Sequence, residues 1–258
     1  MHPPQFPDPP TGQTWLGHAP KTAGFRRLMI GLFFAGVATF AQLYSPQGLL
    51  PLIAADQQVT ADQAALLVSA STIGLAAAVI PWSFVGDRLG RKPAMTISIT
   101  AACVFGIGAT LAPTFGLILL FRVLEGMALG GVPALAMAYL NEEAHPRAAG
   151  QSAGTFIAGT VLGGLLGRVV AAPIGEWYHW RMGMGVVLVL AVASAICFLI
   201  LTPAARKFQP TTTSPRKAIA AITTNLRSVV LNVMYLQGML LMGGFVAVYN
   251  FLGFHLLE

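Results

Sequence analysis

The chain has 258 residues, of which 55% are hydrophobic and only 9% charged, and its mean hydropathy is +0.71. About a quarter of the residues of a soluble globular domain are charged, so this chain lacks the polar groups to cover a water-facing surface and reads as an integral membrane protein. Its net charge of +6 is carried in short segments between apolar runs, which argues against a nucleic-acid partner and for topology control.

Residues 1–24 open with a stretch rich in Pro, Gln, Gly and Thr, without an apolar core and cleavage site. They are expected to be a disordered cytoplasmic tail rather than a secretory signal. A helix needs about 20 apolar residues to cross about 30 Å of hydrocarbon. Seven runs qualify: Leu28–Leu50, Ala64–Val85, Ala94–Leu111, Phe115–Leu140, Ala148–Pro173, Met182–Leu201 and Val229–Leu252. Weak period-2 alternation argues against a β-barrel. The first run ends in AQLYSPQGLLP, where Gln42, Tyr44 and Gln47 are polar and Pro46 is expected to distort the helix. Residues 55–63 follow as an acidic loop, with Thr60 and Gln63 at capping-box spacing for the second helix.

GDRLGRK, Gly86 to Lys92, joins the second and third runs, and APTFG, Ala112 to Gly116, turns the third into the fourth. Between the fifth and sixth, EWYHW (Glu176 to Trp180) puts aromatic rings at headgroup depth. Residues 203–228 form a cytoplasmic linker rich in Thr, Pro and bases. It is expected to be solvated, with a short amphipathic helix over Pro215–Arg227 as the alternative, and the seventh run follows within 229–258. Cys103 and Cys197 lie in apolar runs with neither metal-ligand nor disulfide spacing, and no cofactor is expected. Twelve of the 15 Lys and Arg residues fall on the side of the alternation that holds the N-terminus, GDRLGRK and the linker. The other side receives Arg181, while Arg122 and Arg168 lie within apolar runs. The excess assigns the basic side to the cytoplasm.

Three stretches carry more than topology. In GDRLGRK, Gly86 and Gly90 permit tight backbone geometry, and Asp87 is placed to accept from backbone donors or pair with a neighbouring Arg. Arg88, Arg91 and Lys92 suit carboxylates and helix C-termini, although topology control alone would account for any one of them. In RVLEGMALGG, Arg122 is costly in a membrane and Glu125, three residues on, is its natural partner, as a functional pair or a structural one. In the fifth run Gly159, Gly163 and Gly167 recur every four residues and leave one face as bare backbone for close helix packing. Arg168 follows them, with Glu125 as one possible partner.

SFVGDRLGRK resembles the signature loop of the major facilitator superfamily, a small residue followed by Asp, Arg, any residue, Gly, Arg and Lys. Asp87, Arg88, Gly90, Arg91 and Lys92 match, and Ser83 stands where Gly is usual. The resemblance implies a gate that latches two helix bundles on the cytoplasmic face. RVLEGMALGG resembles the family's Arg-x-x-Gln-Gly motif through Arg122 and Gly126, with Glu125 in place of Gln. Gly154, Gly163 and Gly167 resemble its antiporter motif, but Arg168 stands where Pro belongs, so tight packing and a coupling role are both open. Helices one, four and seven line the family's cavity, which makes Tyr44, Gln47, Arg122, Tyr249 and Asn250 cavity candidates and Glu125 the proton-linked one. PALAMAYLNEE and YNFLGFHL resemble bacterial drug or sugar efflux permeases.

The fold implied is all-α and polytopic. A six-helix bundle over 25–202, built of two inverted three-helix repeats, precedes an unpaired seventh helix that opens a second bundle. The chain is expected to be truncated, with the missing C-terminal half as its natural partner and alternating access lost. The function implied is secondary transport, proton-coupled efflux of a small organic solute, drug or sugar, across a bacterial inner membrane. Its partners are that solute, protons and the lipid bilayer, with no nucleic acid and no enzymatic activity. The alternative is a non-transporting assembly or regulatory subunit that uses the glycine face as its interface. GQSAG, Gly150 to Gly154, fits the hydrolase pattern G-x-S-x-G but lacks its strand–turn–helix setting.

Overall fold

The computed structural model describes residues 16–206, 208, 210, 220 and 223–255. The tail before residue 16, and most of the alternative amphipathic helix, lie outside the described residues. Helices run α1 Ala23–Tyr44, α2 Leu50–Gln57, α3 Ala61–Leu89, α4 Arg91–Leu111, α5 Phe115–Leu129, α6 Gly131–Glu143, α7 Ala149–Trp177, α8 Trp180–Leu201 and α9 Val229–His255. Among the described residues they give seven spans long and apolar enough to cross a membrane, α5 and α6 forming one of them and α2 lying outside all seven. The described residues contain no β-strand.

The helices outrun the apolar runs because an unpaired backbone group in hydrocarbon costs several kcal/mol. Ends therefore fall where side chains serve them. Thr22 Oγ1 accepts from the Phe25 amide at 3.2 Å. The expected capping box forms, with Thr60 Oγ1 accepting from the Gln63 amide at 3.3 Å and Gln63 Oε1 accepting from the Thr60 amide at 2.9 Å. Pro46 does break the first span. A 3-10 turn occupies Ser45–Gly48 and α2 continues to Gln57, so the acidic loop shrinks to residues 58–60. At its far end Asp56 accepts from the Trp180 indole at 2.8 Å, tying α2 to α8. Hydrogen bonds from Gln57 and then Trp180 hold the Asp56 carboxyl below its usual range.

Three expectations need correction. GDRLGRK is not a loop: α3 runs through Leu89, α4 starts at Arg91, and Gly90 alone joins them at φ +96° and ψ 155°. That backbone region is essentially reserved for glycine, and it lets two helices meet across one residue. The tail is docked from residue 16 on. The His18 amide donates to the Glu143 carbonyl at 2.7 Å and the His145 amide to the His18 carbonyl at 3.1 Å. Burial, and then Arg206, lowers the His18 imidazole pKa. The fourth span is divided at Gly130, whose amide reaches both Ala128 and Gly126 carbonyls.

Helix pairing shows the inverted repeat. α1 packs on α7 and α8, while α5 packs on α3 and α4. Exchanging the first three spans for the second three turns one set of contacts into the other. α4 and α8 close the bundle on each other and cap each other's ends. Lys92 Nζ, at the start of α4, donates to the Leu199 carbonyl at 3.2 Å and to that of Thr202 at 2.5 Å. Arg181 Nη1, at the start of α8, donates to the Thr110 carbonyl at 2.6 Å. Each base meets the negative pole and orphan carbonyls of the opposite helix.

Glycines line the crossings of α1 with α7 and of α3 with α5. A Cβ at Gly163 would lie 2.7 Å from the Val37 backbone, and Gly159 and Gly167 meet Phe33 and Ala41 in the same way. Gly126 faces the backbone of Ser71. The glycine face of α7 is thus filled by α1, which corrects the reading of that face as an external interface. Gly154 has open space around its Cβ position and takes no part. Outward positions such as Ile73, Val104, Val161 and Val189 are exposed and apolar, as a lipid-facing surface requires. Among the described residues α9 lies against α2, α3 and the 3-10 turn, and its Phe245 and Tyr249 reach Arg168 of α7.

Gly163→Val is expected to force α1 and α7 apart at a cost of about 1–3 kcal/mol, seen as a lower denaturation midpoint in detergent. Gly154→Ala is expected to leave the midpoint unchanged; equal effects at both sites would contradict the packing described.

Candidate functional site

Charged side chains gather at three depths. On the face that carries the N-terminus, Arg91 joins two acids. Its Nη1 donates to Asp87 Oδ1 at 2.6 Å and its Nε to Glu142 Oε1 at 3.0 Å. Asp87 lies in the last turn of α3 and pairs across the Gly90 junction with the first residue of α4. The cluster links the end of α3, the start of α4 and the end of α6. Arg88 is exposed beside it, and Lys92 is spent on the α8 terminus. Glu142 is the member that sequence reasoning missed; the pair Glu142-Glu143 at a helix end was its only signal. Glu143 is fully buried and accepts from the Arg206 amide at 2.7 Å.

Inside the bundle, Arg122 and Glu125 are sealed from the surface, at 0% and 2% exposure. Spacing of three on α5 brings Arg122 Nη1 to 2.7 Å from Glu125 Oε2. The guanidinium has further acceptors in the carbonyls of Gln42 (3.1 Å), Leu43 (2.7 Å) and Leu67 (3.3 Å). Two of them lie at the break made by Pro46, which has no N–H to return to the Gln42 carbonyl. That carbonyl accepts from the Ser45 amide and, at 3.0 Å, the Ser45 hydroxyl as well as from Arg122. The other Glu125 oxygen looks toward Gly106. A cavity of about 10 Å³, the size of one water, opens there among Gln42, Ser45, Thr110 and Glu125.

The third centre is Arg168 on α7. It does not pair with Glu125, because α5 spends that carboxylate on Arg122. Instead Arg168 Nε donates to Gln47 Oε1 at 2.6 Å and Nη1 to the Gly164 carbonyl at 2.8 Å. Its guanidinium lies 4.3 Å from the Tyr44 ring centre, 4.8 Å from Tyr249 and 5.5 Å from Phe245. Gln47 Nε2 in turn donates to Asn250 Oδ1. Tyr44, Gln47, Tyr249 and Asn250 therefore do converge, whereas Arg122 sits apart behind the wall of α1. Two open cavities flank Arg168. One of about 540 Å³ is bounded by Gln47, Pro51, Glu176 and Tyr249, and one of about 380 Å³ by Tyr44, Gly164, Met242 and Phe245.

GQSAG lies wholly in α7 with Ser152 buried, so no strand–turn–helix elbow presents that hydroxyl. The described residues hold no cluster of three or more metal-ligating side chains.

Arg122→Leu would strand Glu125 and is expected to destabilise the fold by about 3–5 kcal/mol. Arg122→Leu with Glu125→Leu is expected to recover part of that loss in denaturant unfolding. A double variant as unstable as the sum of the two single ones would contradict the pairing.

The family model of the Major Facilitator Superfamily matches residues 31–257. The inner membrane transport protein YnfM of Escherichia coli (strain K12) is 34% identical over 236 residues, which is 92% of this chain and 57% of that protein. The uncharacterized MFS-type transporter YybF of Bacillus subtilis (strain 168) is 35% identical over 236 residues, 92% of this chain and 58% of that one. Among solved structures, a mutant of the peptide transporter POT in complex with alafosfalin has the same fold, with a TM-score of 0.63 at 16% identity over 80% of this chain and 46% of that chain. The chain spans a little over half the length of the curated relatives it matches.

Proposed function

The chain belongs to the major facilitator superfamily of multi-pass membrane transporters, and we propose that, together with a C-terminal half such as its longer relatives carry, it serves proton-coupled efflux of a small organic solute. The observation that carries this reading is the Arg122–Glu125 pair. A carboxylate buried in the membrane interior is the group best suited to take and release a proton there. Arg122 keeps three backbone acceptors whatever the state of Glu125, so the cation stays in place while its partner changes charge. The water-sized cavity beside Gln42 and Ser45 offers the proton a polar approach.

The Asp87–Arg91–Glu142 cluster then acts as a gate latch. It fixes the ends of α3, α4 and α6 to one another and leaves Arg88 exposed toward an opposing bundle. The basic residues on this face support a cytoplasmic N-terminus, in an inner membrane like that of the Escherichia coli relative. The cavities beside Arg168 serve as the solute path, with α9 as their second wall.

Everted vesicles from cells expressing the gene, energised to acidify their interior, test this with a radiolabelled mixture of small organic acids, amines and sugars. Accumulation is expected to collapse with a protonophore and to fall tenfold or more in Glu125→Gln. Accumulation that ignores the gradient, or that survives Glu125→Gln intact, would overturn the assignment.

A further inference from the structure

We infer that the solute is an organic anion and that Arg168 receives its negative charge beside an aromatic wall. This rests on the reading of the flanking cavities as a solute path. Charges within the spans do not balance among the described residues: Arg122 and Glu125 neutralise each other, and Arg168 has no ion-pair partner. Neutral dipoles and ring faces surround it, and its Nη2 makes no hydrogen bond among the described residues. A lone guanidinium at membrane depth is expensive. Here the cost falls where two cavities of about 540 and 380 Å³ meet the same side chain, a size that suits small-molecule ligands.

The surroundings select the sign of the guest. A cation would face Arg168 with no counter-charge nearby. Glu176 is the acid on that cavity, but it is exposed at the rim, eight residues or about 12 Å further along α7. A neutral guest would leave the guanidinium uncompensated. A carboxylate or similar anion matches its planar fork, and Tyr44, Phe245 and Tyr249 on the two cavities offer aromatic surface to an apolar body.

Mandelate, its neutral amide and the amine 2-phenylethanolamine share one ring and one hydroxyl and differ in charge. Their binding to the purified chain in nanodiscs, followed by isothermal titration, tests the inference without any proton gradient. Mandelate is expected to bind at least tenfold more tightly than the amide, and the amine more weakly than either. Arg168→Gln is expected to erase the preference for the acid, with an unchanged circular-dichroism spectrum and elution volume reporting an intact fold; Arg168→Lys should keep part of the preference. Equal binding of all three, or an acid preference that survives Arg168→Gln, would overturn the assignment of charge and leave the transport reading standing. Failure of all three to bind would overturn both this inference and the cavity as the solute path.

Discussion

One guanidinium organises this bundle. Arg122 is fully buried at membrane depth, and hydrocarbon supplies it no water. Every acceptor for its N–H groups must come from the protein, and those acceptors lie on three separate spans: Gln42 and Leu43 on α1, Leu67 on α3, and Glu125 on α5 itself. Two of those carbonyls lie where Pro46 interrupts the α1 ladder. The break in the first span and the charge in the fourth therefore meet at one place, although Gln42 and Arg122 are 80 residues apart in sequence.

Around that fixed point the rest of the structure is close approach. Glycines let α7 lie against α1 and α5 against α3, backbone to backbone, and the basic ends of α4 and α8 cap each other. Of the seven spans among the described residues, α9 is the one with almost no buried surface. Glu125 is enclosed behind α1, whereas Arg168 stands in the open cavities that α9 helps to bound.

The spans were legible because hydrophobic length is set by bilayer thickness and leaves its mark on every residue of a run. So were the capping box at Thr60, the spacing of Arg122 and Glu125, and the glycine face, since each is a local pattern within one helix. What the sequence hid was pairing between helices. Nothing local shows that Gly159, Gly163 and Gly167 face α1 rather than another protein, that Lys92 and Arg181 trade places at opposite ends, or that Glu142 completes the cluster around Arg91. Arg168 misled for the same reason. Its nearest acid by composition was Glu125, but α5 had already claimed that carboxylate, and the contacts that hold Arg168 come from Gln47 and three aromatic rings far away in the chain. The helix ends were also longer than hydropathy indicated, because polar residues such as Asp87 and Arg88 still satisfy their backbone within α3.

The central claim is that Glu125 exchanges a proton while Arg122 stays charged and held. Infrared difference spectroscopy of the reconstituted chain across a pH titration reads that event directly. The account predicts a protonated-carboxyl band that grows as the pH falls, disappears in Glu125→Gln and persists in Asp87→Asn. A spectrum indifferent to Glu125→Gln would contradict it and leave the buried pair a purely structural tie.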